Sequence, residues 1–192
     1  MDFEHPKLPL GTVFNQVPIT NAIPGWSAFP TNVQGEIFYN SSSIGGALVA
    51  LVDRTALGYS AIQGNYSVLL QGSTFSHTPD SASIWQTGQI PQNAQSLTFL
   101  TRSPSSLQAI FDGQLIPMME IGSGPNYIMM GGNISAFAGK TGELRFTALG
   151  NVGSGLIDDI QFSTLPIPEP SVITLSGLGL IAFAFRFIRP IF

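Results

Sequence analysis

Leu107-Gln108-Ala109-Ile110-Phe111-Asp112-Gly113-Gln114-Leu115-Ile116-Pro117-Met118 is the stretch that decides the fold class. Asp-Gly suits a two-residue type I′ turn, whose two central positions both take positive φ. Apolar residues alternate with Gln before the turn, so the segment predicts an antiparallel hairpin with one face inward. Runs of the same kind lie on either side. Toward the N-terminus they are residues 96–100, 83–87 and 66–71, the last led by the Gly64-Asn65 turn. Residues 47–52, 33–39 and the pair Phe3-Glu4 continue the series. Toward the C-terminus they are residues 127–130, 142–148 and 155–162, with a helical turn expected at 135–138. Pro6, Pro9, Pro18, Pro24 and Pro30 exclude a long helix from the opening segment. Residues 41–46 and 73–80 read as loops. Eight or more short strands, spaced roughly 8–15 residues apart, predict an all-β, antiparallel β-sandwich.

Composition agrees. The chain has 192 residues, enough for one domain of 1–165 plus a tail. Only 9% of residues are charged, while there are 21 Gly, 14 Pro and 14 Phe, the profile of a turn-rich β protein. The net charge is −4, and without Arg186 and Arg189 five basic residues face eleven acidic ones. No basic patch exists for a nucleic-acid partner. Cysteine is absent, so no disulfide contributes to the fold.

The tail is of another kind. Pro166 to Pro170 reads as a stiff, extended linker, and residues 171–185 carry no charge before Arg186 and Arg189. Fifteen residues of helix reach about 22 Å, and continuing through Ile188 with Arg186 snorkelling brings the segment close to spanning a bilayer. Residues 171–192 therefore predict a single transmembrane helix, and the two arginines place its C-terminus in the cytoplasm as a membrane stop. A buried core helix is the plain alternative, but the apolar residues point all round rather than along one stripe. Met1 to Pro6 shows neither a basic n-region nor an apolar h-region, so an export signal is expected from a start upstream of Met1, the alternative being a tail-anchored or decayed copy.

Catalysis finds little material. The histidines are His5 and His77, no Gly-x-Ser-x-Gly elbow occurs, and His77 with Asp80 brackets a Thr-Pro turn. No phosphate loop, dinucleotide fingerprint or zinc spacing is present. The chain is expected not to be an enzyme. A sugar platform would need an aromatic ring among polar groups, and Trp26, Tyr39, Tyr59, Trp85 and Tyr127 are the candidates. Trp26 is expected as a structural plug and Trp85 as core or sheet-face packing. The sequence does not place a sugar site among them.

Pro168-Glu169-Pro170, then a Gly- and Leu-rich apolar span, then terminal arginine, resembles the PEP-CTERM sorting signal of Gram-negative bacteria. The resemblance implies an exosortase-type sorting enzyme as partner, reading Pro168, Glu169 and Pro170. It implies a precursor in the inner membrane that reaches the cell surface or exterior after the tail is removed, in a setting of exopolysaccharide production. This chain departs from the pattern in its thin basic end, two arginines separated by Phe187 and Ile188.

A second resemblance covers most of residues 2–163. Phe3-Glu4, Gly25-Trp26, Gly64-Asn65-Tyr66-Ser67, Trp85-Gln86, Ser96-Leu97-Thr98-Phe99, Asp112-Gly113 and Ile157-Asp158-Asp159-Ile160 follow an order similar to the galactose-binding-like jelly rolls of carbohydrate-binding modules. It implies a jelly roll and an extracellular polysaccharide as partner. It also implies a structural Ca²⁺ where first and last strands meet, held by Glu4 and Asp158 with backbone carbonyls. Calcium takes six to eight oxygens, so two carboxylates with carbonyls and water are adequate. The plain alternative is an Asp158 that accepts backbone N–H bonds at a turn and a solvated Glu4. The expected function is a non-catalytic, polysaccharide-associated binding or structural module. A small secreted glycan-active hydrolase and a purely structural, membrane-anchored protein are the alternatives.

Overall fold

The computed structural model describes residues 1–9, 12, 16–42, 46–73, 81–103, 107–150 and 153–167. Its elements in chain order are β1 (Gln16–Pro18), the single turn α1 (Ile19–Ala22), β2 (Ser27–Phe29), β3 (Glu36–Tyr39), β4 (Leu48–Asp53), β5 (Tyr66–Gln71) and β6 (Ala82–Gln89). There follow β7 (Ser96–Thr101), β8 (Leu107–Phe111), β9 (Gln114–Ile116), β10 (Met119–Ser123), β11 (Ile128–Asn133), a 3-10 turn (Ser135–Phe137), β12 (Thr141–Ala148) and β13 (Ser154–Ser163). They form two sheets, one ordered β1-β3-β4-β5-β13-β7-β11-β10 and the other β2-β6-β12-β8-β9. Pairing is antiparallel except between β3 and β4. The chain is the all-β sandwich that strand spacing predicts.

The hairpin forms as expected. Asp112 and Gly113 take φ of 45° and 76°, as a type I′ turn requires. Phe111 pairs with Gln114 and Ala109 with Ile116. Because side chains alternate along a strand, the row Ala28, Ile84, Phe146, Ala109 and Ile116 faces inward across all five strands of the smaller sheet. Phe146 meets Phe99 of the larger sheet edge-on at 5.2 Å between centroids. Trp26 closes one end, with its ring 5.9 Å from Phe3 and 6.3 Å from Phe146.

The larger sheet is apolar on both faces. Its outward side carries Leu48, Ala50, Val52, Leu69, Leu100 and Leu156, and the loop between β4 and β5 covers them with Ala56 and Ile62. This second core explains why β4 and β5 read as nearly continuous apolar runs rather than alternating ones.

Several boundaries differ from expectation. Phe3-Glu4 is not a strand; Phe3 is buried as part of the plug around Trp26. The third strand starts at Glu36, not Val33, which is 96% exposed. Asn32 causes this: its Oδ1 accepts the N–H groups of Gln34 and Glu36, making a turn that holds Gly35 at φ 73°. β1, α1, β2 and β10 are additional to the expected set. The transmembrane helix expected at 171–192 lies outside the described residues. Among the described residues no helix is long and apolar enough to cross a membrane.

Candidate functional sites

One exposed surface combines an aromatic ring with hydrogen-bonding groups. It is the outer face of the five-stranded sheet. The register that buries Ile84 and Phe146 turns the row Ser27, Trp85, Arg145, Ile110 and Leu115 outward. The Arg145 guanidinium lies over the Trp85 ring, 4.1 Å from its centroid. Arg145 Nε donates to Glu143 Oε1 at 2.7 Å, two residues along the same strand and so on the same face. The ion pair is about one-third exposed and adds little to stability, roughly 0–1 kcal/mol. Its structural effect is to hold the guanidinium plane against the indole. Leu115 and Phe29, 58% and 48% exposed, sit at the two edges of this face. Thr87 stands beside Glu143 and Gln108 beside Thr147.

The other aromatic candidates are used differently. Trp26 is a buried plug, as expected. Tyr39 is buried and donates its hydroxyl to Asp53 Oδ2 at 2.5 Å. Burial pushes the Tyr39 phenol up, and the hydrogen bond and charge of Asp53 add to the rise. Burial raises Asp53 as well, but hydrogen bonds from Tyr39, Thr55 and Asn40 outweigh it and hold the carboxyl below its usual range. Tyr59 accepts from Ser154 Oγ at 2.9 Å and packs with Tyr127 over the second core. Arg145 and Glu143 escaped the sequence reading. The signal was there, two opposite charges alternating in an otherwise apolar strand, but their position opposite Trp85 depends on the β6–β12 register.

The second site brings the start of the chain to its last strand. Glu4 accepts the N–H of Asn65 at both oxygens, 2.8 and 2.9 Å, and that of Tyr66 at 3.1 Å. Gly64, at φ 55°, lets the chain pass there, since a Cβ would stand 2.1 Å from Glu4 Oε1. Asp158 is buried at 2% exposure; its Oδ2 accepts from Ser67 Oγ at 2.7 Å and its Oδ1 from the Asp159 N–H at 2.8 Å. A bulge between Asp158 and Gln161, with Asp159 at φ 46°, parts the two aspartates. Burial pushes the Asp158 carboxyl up to about 6, the bonds from Ser67 and Asp159 oppose the rise, and the Glu4 charge adds to it. Glu4 and Asp158 thus come near enough for their charges to repel, and the Met1 carbonyl accepts the Ile160 N–H at 2.8 Å beside them. The donors fit calcium in type, being oxygen only. They are short in number: among the described residues no group of three or more His, Cys, Asp or Glu gathers at one point. Backbone carbonyls and water would have to complete a shell of six to eight.

His77 and Asp80 lie outside the described residues. His5 lines a cavity of about 300 Å³ with Asp2, Lys7 and Trp26.

The chain leaves the sandwich along a fixed path. Ser96 Oγ donates to the Leu165 carbonyl at 2.8 Å, and Ile167 is 9% exposed against β11. A Cβ on Gly131 would stand 2.2 Å from Ile167 Cδ1, so that glycine makes the seat. Pro168, Glu169, Pro170, Arg186 and Arg189 lie beyond, outside the described residues.

Comparison with known proteins finds distant structural likenesses and one sequence motif. The K1 adhesin domain of Lys-gingipain from Porphyromonas gingivalis W83 is similar at 11% identity and TM-score 0.43, over 85% of this chain and 95% of that one. A family 11 carbohydrate-binding module from Clostridium thermocellum, solved with a β-1,3-1,4-mixed-linked tetrasaccharide, is similar at 9% identity and TM-score 0.40, over 77% and 93%. A xylan-binding domain of family 22 is similar at 13% identity and TM-score 0.37, over 83% and 100%. No curated protein matches the sequence. Residues 166–189 match the PEP-CTERM protein-sorting motif, starting at the strap that Ile167 seats on the sandwich, and the chain carries that motif as its C-terminal segment.

Proposed function

We propose that this chain is an exported, non-catalytic module that associates with extracellular polysaccharide through the outer face of its five-stranded sheet. The precursor is held in the inner membrane by residues 171–192, with Arg186 and Arg189 as the stop, until an exosortase-type enzyme acts at Pro168-Glu169-Pro170. The observation that carries the reading is the Trp85–Arg145–Glu143 arrangement on an open sheet, in a chain that ends in a sorting motif. Arg145 covers one face of the indole, so a sugar ring would pack its CH face against the indole surface that the guanidinium leaves open. Guanidinium donors and a carboxylate acceptor beside it answer the ring hydroxyls. Among the described residues no comparable group gathers for hydrolysis. The buried carboxyl Asp158 lies under the β4–β5 loop, bonded to Ser67, away from this face.

The test is retention of the detergent-solubilised full chain in gels containing polysaccharide from an exopolysaccharide-producing Gram-negative host. Trp85→Ala should lose most of the retardation while keeping the wild-type melting temperature. Equal retardation of wild type and Trp85→Ala would assign any binding elsewhere.

We also propose that Glu4 and Asp158 hold a structural Ca²⁺ with backbone carbonyls and water. Two repelling carboxylates, one of them buried, support this reading. Calcium should raise the melting temperature of the EDTA-treated chain and leave Asp158→Asn unmoved; no shift in wild type would reject the site.

A further inference from the structure

Five of the seven basic residues precede the tail, and two of them end one ridge. Arg102 Nε donates to the Asn126 carbonyl at 3.3 Å. Asn126 Nδ2 donates to the Ile62 carbonyl at 3.0 Å. Two residues on, the Gly64 carbonyl accepts Arg54 Nε at 2.5 Å. The path Arg102, Asn126, Ile62, Gly64, Arg54 is thus tied by three hydrogen bonds, with a guanidinium at each end. Two clefts meet at Asn126. One, of about 510 Å³, is lined by Arg102, Ser123 and Tyr127; the other, of about 260 Å³, by Arg54, Ser60 and Gln63.

We propose that this ridge is a second carbohydrate site, and that it takes an acidic polysaccharide whose successive sugars carry carboxylates. Among the described residues each arginine is bonded through its Nε to a neutral carbonyl, and the ion pair is Arg145–Glu143. Arg102 lines one cleft and Arg54 the other, and among the described residues no carboxylate is paired with either. A guanidinium held at Nε keeps little rotational freedom, so less order is lost when a planar carboxylate docks on it. The two forks line different clefts, and a uronate chain, which repeats its carboxylate along its length, can supply one carboxylate to each. Ser60, Gln63 and Ser123 line the same clefts and supply neutral donors and acceptors for hydroxyls. The acids beside this path have other partners: Glu4 accepts the Asn65 and Tyr66 amides, and Asp53 accepts from Tyr39 and Thr55. The net charge of −4 excludes a general attraction for anions, so binding here must be local and sensitive to salt. The inference deepens the polysaccharide reading but uses a different surface from Trp85.

The experiment is calorimetric titration of the detergent-solubilised full chain with oligogalacturonate and with its methyl ester. The acid should bind and weaken with added salt, and the ester should bind about tenfold more weakly or not at all. Arg54→Gln and Arg102→Gln should each reduce affinity about tenfold. Arg54→Lys, which keeps the charge but not the fork, should fall between them and wild type. Trp85→Ala should leave the acid titration unchanged, which separates this site from the sheet face. Failure of the acid to bind, equal binding of the ester, or wild-type affinity in the double glutamine variant overturns the proposal. So does loss of acid binding in Trp85→Ala, since the ligand would then sit on the sheet.

Discussion

Ser67 donates its hydroxyl to Asp158 across the β5–β13 boundary, and the same Ser67 oxygen accepts the N–H of Ile62 from the covering loop. One hydroxyl thus connects the loop, the strand and the buried carboxyl.

That carboxyl sets the first prediction. Its folded value, about 6, stands above its ordinary 3.8, so the folded state binds the proton more tightly than the unfolded chain. Without metal, stability should fall as pH rises from about 4 to about 6, by about 2–3 kcal/mol, and stay low above that window. Urea unfolding in EDTA at the two ends of the window measures it. Asp158→Asn should flatten the dependence, and a wild-type stability that climbs through the same range would contradict the assignment.

Gly64→Ala should be costly for two reasons. Its φ of 55° is the left-handed region, where a side chain costs about 1–2 kcal/mol. The new Cβ would also displace the Glu4 carboxylate from the Asn65 and Tyr66 amides. A loss of about 2–3 kcal/mol is expected in thermal unfolding. In a Glu4→Ala background only the backbone part should remain, so a double-mutant cycle must be non-additive. Additive losses would separate the two residues.

Much of the fold was legible because local chemistry decided it. Residues 66–71 were bounded by a Gly-Asn turn and residues 107–116 by Asp-Gly, and both strands formed where those turns placed them. β1 was not legible: Pro18 ends it, it has three residues, and its pairing with β3 is the product of tertiary contact. Phe3 is the instructive miss, since burial by aromatic plugging leaves the same apolar mark as a strand. Of the sheet-face site only Trp85 stood out, because Arg145 and Glu143 gain meaning from a partner sixty positions away in register. Glu4 and Asp158 were reached through a resemblance, and their spacing in sequence carries no trace of their proximity.

The sorting segment supplies a further prediction. Pro168 and Pro170 withhold two N–H donors and fix two φ values, which presents Glu169 in a restricted shape. In a host with an exosortase, and with an export signal supplied, Pro168→Ala, Glu169→Gln and Pro170→Ala should each block tail removal and leave the precursor mass. Intact-mass spectrometry reads the outcome directly. Identical mature mass in wild type and all three variants would reduce the motif to a spacer.

Ile167 bears on where the sandwich stands. Its seat on Gly131 and the Ser96 bond to Leu165 tie the chain to the sandwich as far as Ile167. Four virtual bonds separate the Cα of Ile167 from that of Ser171, at most about 15 Å. Whatever grips Ser171 therefore holds the domain on a leash of about 15 Å, no longer than the roughly 15 Å radius of gyration of a compact domain of this length. If an enzyme reads Pro168-Glu169-Pro170 as proposed, the motif reaches it directly after the β10–β11 edge on which Ile167 sits, so that edge or a displaced Ile167 must be accommodated beside the enzyme.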